Sequence, residues 1–143
     1  MSRITYSIAD ITTTISKHLL PIIQNGTILL LYGQLGAGKT TLVKALTKQL
    51  GITADVSSPT FTYVNTYSNP TNPLIIHHFD LYRLHSAEEF IAQGFDEFLI
   101  QQNALVIIEW PEVIAALLLN QKTISIHLTH DFQAPEIRYM EIK

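Results

Sequence analysis

The sequence predicts one α/β domain over residues 1–143, with a mixed, mostly parallel central sheet, antiparallel hairpins and helices on both faces. Three observations predict it. Two continuous apolar runs, "TILLLY" (Thr27 to Tyr32) and "ALVIIE" (Ala104 to Glu109), have the character of strands covered on both faces. The first runs at once into a glycine-rich turn and then a helical pattern with Leu42, Val43, Leu46 and Leu50 on one stripe, which makes a βα unit. Two further pairs of β-rich runs flank turns and read as hairpins.

The elements follow in order. "SRITYSI" (Ser2 to Ile8) alternates as a short strand. Ser7 and Asp10 match a capping box, and Ile8, Ile11, Ile15, Leu19 and Ile22 recur at helical spacing until Pro21 and Asn25-Gly26 end the helix. The strand Thr27 to Tyr32 and its helix come next, with Gly51 as the cap. "SSPTFTYVNTY" turns at Ser-Pro and becomes β-rich from Phe61 to Tyr67; "SNPTNP" is a turn cluster, and "LIIHHFD" returns as the second arm of a hairpin. Residues from about Ser86 to Ile100 read as helical with a break near Gly94. After the strand ending at Glu109, "PEVIAALLLNQ" has proline at its first helical position, where the missing N–H does no harm. "TISIHLT" and "EIRYMEI" pair as the last hairpin, and no repeat, linker or low-complexity tract interrupts the pattern.

Composition narrows the class. The chain is 47% hydrophobic and 15% charged, enough for a packed core. No apolar run approaches the ~20 residues that cross a bilayer, and the first ten residues lack the apolar core of a secretory leader. The absence of cysteine excludes disulfides and thiolate metal sites and fits a cytoplasmic protein. Net charge is −3, and the nine Lys and Arg residues form no cluster. A nucleic-acid clamp needs a basic patch. The expectation is therefore no membrane, no DNA, and RNA only through partners.

The turn after the first buried strand reads "GQLGAGKT" and meets G-x-x-x-x-G-K-[ST] in full, at Gly33, Gly38, Lys39 and Thr40, with Gly36 as a further residue lacking Cβ. Such a loop turns main-chain N–H groups inward as an anion nest, and the following helix points its positive end at the same place. Lys39 then reaches the β- and γ-phosphates of a nucleotide, and the Thr40 hydroxyl meets Mg²⁺. Hydrolysis also needs a carboxylate beside the metal. Glu109 and Asp80 both end apolar strands and both qualify, Glu109 with the stronger strand signal. Thr60, after the Ser-Pro turn, is a switch candidate; Trp110 follows Glu109 directly and is of a type that usually packs in cores. Arg83 either touches phosphate or pairs with Glu88. The six histidines show no metal spacing, and His77 and His78 face opposite sides of their strand.

Taken together, GQLGAGKTT, SSPTFTYVNTY, HHFDLYRL, EEFIAQGFDEFL and VIIEWPE, in this order from about Gly33 to Glu112, resemble the TsaE (YjeE) family, small bacterial P-loop ATPases of tRNA threonylcarbamoyladenosine synthesis. The resemblance implies a P-loop NTPase-like domain that binds ATP or ADP with Mg²⁺ and acts with the TsaB–TsaD pair, which modifies adenosine 37 of tRNA. It implies that Leu35, Gly36, Ala37, Gly38, Lys39, Thr40 and Thr41, with Gly33 at the start of the motif, hold the phosphates. It makes Thr40 and Glu109 the metal ligands and ties Asp80, Thr41 and Trp110 to activity, with Thr60 in a switch-like segment. Two positions depart from the family pattern. Gln34 stands where an acid is usual, and Ile137 stands where glycine usually precedes the arginine matched here by Arg138. Three other readings use the same loop. A small-molecule kinase brings several arginines to its phosphates, and this chain has only Arg3, Arg83 and Arg138. A nucleotide-gated binding module holds ATP or ADP with negligible turnover. A GTPase normally carries N-K-x-D, which is absent.

Overall fold

The computed structural model describes residues 2–143. Its strands are β1 (Arg3–Ser7), β2 (Ile28–Tyr32), β3 (Val64–Asn69), β4 (Asn72–Asp80), β5 (Ala104–Glu109), β6 (Thr123–His130) and β7 (Ile137–Ile142); its α-helices are α1 (Ile11–His18), α2 (Lys39–Gln49) and α3 (Ala87–Ala92). All seven strands join one mixed sheet in the order β1-β7-β6-β2-β5-β4-β3. The central pairings, β6 with β2, β2 with β5 and β5 with β4, are parallel. The three outer pairings are antiparallel and include the two expected hairpins, β3–β4 and β6–β7.

Period-two alternation sorts the strands' side chains between two cores. Leu29, Leu31, Leu105, Ile107, Ile126, Leu128 and Met140 face α1 and α2, meeting Ile15, Leu42, Val43 and Leu46. Ile28, Leu30, Val106, Ile108 and Phe79 face the other way, against Phe90, Leu99, Ile114 and Leu118. The Phe79 ring lies 5.5 Å from Phe90 and 5.4 Å from both Phe95 and Phe98, the separation at which aromatic edges and faces attract. On β4 and β5 the apolar rows of the α2 face run out at the carboxyl ends. Ile76 is followed on that face by His78 and Asp80, and Ile107 by Glu109. This change from apolar to polar places the site.

Four local expectations fail. The β-rich run expected from Phe61 begins only at Val64, after a turn in which Tyr63 takes φ 66°. Ser7 stays in β1, paired with Ile137, and its hydroxyl donates to Asp10 at 2.7 Å instead of capping a helix. The chain then takes a 3₁₀ turn, Ile8–Asp10, before α1. The helix stops at His18, short of the expected span, and Pro21 sits in a separate 3₁₀ turn, Leu20–Ile22. Pro111–Leu118 is a 3₁₀ segment broken at Ile114 (φ −112°, ψ 21°) rather than an α-helix. Burial of Pro111, Ile114 and Leu118 dictates that path over helical propensity.

Tyr6 on β1 is 4% exposed. Burial pushes its phenol up to about 12, with Arg138 pulling slightly the other way. The folded state keeps this proton at pH values where the unfolded chain, near 10, gives it up. Stability from Tyr6 is therefore complete below pH 10 and falls as pH rises towards 12. Thermal melts of the Tyr6→Phe variant should show a shallower loss of Tm across pH 10–12 than the parent; an identical slope contradicts the assignment.

Candidate nucleotide site

β2, β4 and β5 end at the same sheet edge, and the loop after β2 folds over it before α2 begins at Lys39. Gly33 admits no side chain, because a Cβ there falls 2.7 Å from the Leu128 carbonyl oxygen at φ +156°. Gly38 has φ +103°, where L side chains are strained, and it abuts Arg138. The Gly33→Ala variant should lose on the order of 1–3 kcal/mol in urea unfolding. An unchanged midpoint would show that this turn tolerates a side chain.

The loop is rich in unused donors. The Ala37 amide donates to the Gln34 carbonyl at 3.0 Å. Among the described residues, none accepts from the amides of Gly36, Gly38, Lys39, Thr40 or Thr41. Leu35, Gly36, Gly38, Lys39, Thr40 and Thr41 line one side of a cleft of about 460 Å³; Ser58, Thr60, Asp80, Glu109 and Trp110 line the other. Lys39 is 5% exposed. Its Nζ donates to the Gly33 carbonyl and, at 2.9 Å, to that of Gln34, and it stands 4.1 Å above the Trp110 ring. Burial holds this ammonium below the ordinary lysine range, while Glu109, Glu112 and Asp80 draw it back up.

Opposite the lysine lie the two carboxylates, register partners on adjacent strands. Glu109 is 2% exposed, and its Oε1 and Oε2 lie 3.0 and 3.3 Å from the Thr40 hydroxyl, which donates to them. Oε2 also lies 2.6 Å from His78 Nε2. Asp80 is tied differently. It accepts from the Ser58 hydroxyl and, at 3.1 Å, from the Tyr82 amide, so it holds the Ser57–Thr60 segment against the strand end. Of the two candidates, Glu109 is the one within reach of Thr40.

The other expected residues fall as follows. Thr41 and Thr60 line the cleft, and the Thr60 hydroxyl lies 3.4 Å from that of Ser58. Trp110 is half-buried, adopts the left-handed conformation at φ 60° and forms part of the cleft wall. Gly33 and Ala37 face a separate apolar hollow with Tyr32, His127, Leu128 and Phe132. Arg83 does not pair with Glu88; its guanidinium lies 4.9 Å over the exposed Phe61 ring at the cleft mouth. Sequence reasoning passed over Ser58, Tyr82 and the role of His78. Only the His78–Glu109 pairing had a signal, since the "HHFD" run puts an ionisable side chain two residues before Asp80 on the same face.

This donor set fits a nucleotide with Mg²⁺. Mg²⁺ takes one or two protein oxygens and completes its shell with phosphate and water, which the Thr40 hydroxyl and one Glu109 oxygen allow. A loop with unpaired amides and a folded-back lysine fits phosphate.

A parallel strand, a glycine nest, a lysine at the first turn of the next helix and a carboxylate on the neighbouring strand define a protein of the P-loop NTPase fold. The model of the family described as "Threonylcarbamoyl adenosine biosynthesis protein TsaE" matches residues 7–138. The chain belongs to the TsaE family. It is 48% identical over 93 residues to the tRNA threonylcarbamoyladenosine biosynthesis protein TsaE of Synechocystis, covering 61% of this chain and 55% of that protein. It is 39% identical over 103 residues to the TsaE protein of Bacillus subtilis, covering 72% and 62%. Matched stretches of this chain thus span less than two thirds of these relatives' length. The crystal structure of Bacillus subtilis YdiB superposes with a TM-score of 0.68 at 27% identity, over 97% of this chain and 83% of that one.

Proposed function

We propose that the chain is a Mg²⁺-dependent ATP-binding protein and weak ATPase that supports formation of threonylcarbamoyladenosine at position 37 of tRNA by acting on the TsaB–TsaD complex. The observation that carries this reading is the Thr40–Glu109 contact at 3.0 Å beside the Lys39-bearing glycine loop. Amides from Leu35 to Thr41 and the Lys39 ammonium hold the β- and γ-phosphates. Thr40 and Glu109 hold Mg²⁺, which supplies neutralisation of charge on the transferred phosphoryl group. Asp80, through Ser58, couples the cleft to the segment bearing Thr60.

The positions of the arginines support slow turnover. Arg3 rests on Tyr139, Arg83 on Phe61, and the Arg138 guanidinium donates to the Pro135 and Ile137 carbonyls. Only Arg138 abuts the phosphate loop, beside Gly38, and its guanidinium is held by those two carbonyls. A P-loop protein without an arginine on the transferred phosphate turns over ~10³–10⁵ times more slowly than one supplied with it. The isolated chain is then a slow ATPase, faster with its partners. This also argues against a kinase and leaves a nucleotide-gated module as the second reading. The names of these relatives support a role in tRNA threonylcarbamoyladenosine biosynthesis. No described helix is long and apolar enough to cross a membrane. The chain's unclustered positive charge supports contact with tRNA through the complex, in the cytoplasm.

The test is reconstitution with TsaB, TsaD, tRNA and threonylcarbamoyl-adenylate. Multiple-turnover modification should require ATP hydrolysis by this chain. Equal turnover with a non-hydrolysable ATP analogue would leave only the gated module.

A further inference from the structure

β4 lies beside β5 with Asp80 opposite Glu109 and His78 opposite Ile107. That register brings the His78 ring under the Glu109 carboxylate, on the α2 face of the sheet. The ring is completely buried, and its Nε2 is 2.6 Å from Glu109 Oε2. Its Nδ1 is buried and meets no partner among the described residues. A bare lone pair there is tolerable, whereas an orphaned N–H would carry the full cost of a desolvated donor. The ring proton therefore sits on Nε2 and is donated to Oε2. The carboxylate plane is then fixed from behind, and Oε1 is presented to the Thr40 hydroxyl at 3.0 Å.

We propose that His78 is a positioning residue for the metal site: its Nε2–H bond sets the rotamer of Glu109, so that Oε1 and the Thr40 hydroxyl face one Mg²⁺ position. This rests on the Mg²⁺–nucleotide reading above. An imidazole suits the task better than lysine or arginine. Lysine and arginine carry a lasting positive charge, which in contact with Glu109 would offset the charge that attracts the metal. Hydrogen-bond partners that orient ligating carboxylates are worth ~10–100-fold in metal affinity. His77, one residue earlier, has no such role: it faces the opposite core, bonded to Thr66 and Gln101.

The experiment titrates Mn²⁺ into the ADP-bound full chain by electron paramagnetic resonance and measures ADP affinity separately in EDTA. His78→Phe should weaken Mn²⁺ binding by roughly 10–100-fold. Its metal-free ADP affinity should match the parent, and His78→Gln, which restores an N–H donor, should recover most of the loss. Unchanged Mn²⁺ affinity in His78→Phe, or an equal loss of metal-free ADP binding, overturns the proposal. If the parent itself fails to bind ADP in EDTA, the nucleotide reading is at fault instead. A measurement on the parent alone covers the case in which His78→Phe does not fold. In ¹⁵N-labelled protein, His78 should carry its proton on Nε2, and that resonance should move when Mg²⁺ joins the ADP complex while that of His77 stays. A proton on Nδ1 overturns the proposal.

Discussion

Replacing Lys39 with alanine is expected to weaken ADP binding by roughly ten- to a hundredfold, the worth of a charge-assisted hydrogen bond. Lys39 is 5% exposed, and its ammonium lies along the loop, with Trp110 on one side and the Gly33 and Gln34 carbonyls on the other. Among the described residues the cleft's other cations are Arg138, bonded to backbone carbonyls, and Arg83, stacked on Phe61 at the mouth. Nothing therefore replaces the lysine when it is lost. The fold should persist. Truncation leaves two carbonyls without a donor, but it also removes an ammonium held in partial burial, and the two effects oppose each other. Isothermal titration with ADP, beside a thermal melt, checks both. Unchanged affinity in a folded variant would refute the phosphate-loop assignment.

Replacing Glu109 with alanine should remove Mg²⁺-dependent turnover by about a hundredfold or more while ADP binding in EDTA persists. The carboxylate is the metal-side acid within reach of the Thr40 hydroxyl. Its loss also strands the His78 Nε2–H, so alanine should cost about 1–3 kcal/mol of stability. Glu109→Gln keeps the shape and an acceptor for His78, and it should lose Mg²⁺ dependence with a smaller loss of stability. Asp80→Ala is the control, since Asp80 restrains Ser58 and the Tyr82 amide. If Asp80→Ala abolishes the Mg²⁺ response and Glu109→Ala preserves it, the two carboxylates have exchanged roles.

The parts of this molecule that could be read from sequence are those whose environment is uniform along the chain. β5 is buried from end to end and β2 up to its last residue, Tyr32, so their apolar runs marked them nearly residue for residue. The phosphate loop was legible because its geometry demands fixed residue types at fixed spacing. The segment after Glu109 was not. "PEVIAALLL" is apolar enough for any helix, and only packing against the sheet decides that it runs as a broken 3₁₀ path with Ile114 buried and Leu119 82% exposed. Ser7 and Asp10 look like a cap, but sheet pairing claims Ser7 first. In the site, the sequence left Glu109 and Asp80 open. The choice depends on which strand end lies across from α2, a property of sheet order. The same holds for His78, whose partner lies 31 positions along the chain.

The central claim is that the loop's amides and Lys39 grip a nucleotide's phosphates beside a metal held by Thr40 and Glu109. The most direct measurement is a crystal structure of the chain with ADP and Mg²⁺. It should show the diphosphate inside the Gly33–Thr40 turn, Lys39 Nζ moved from the Gly33 and Gln34 carbonyls onto phosphate oxygens, and the ion between Thr40 and Glu109. ADP bound elsewhere, with Lys39 still on those carbonyls, would contradict it.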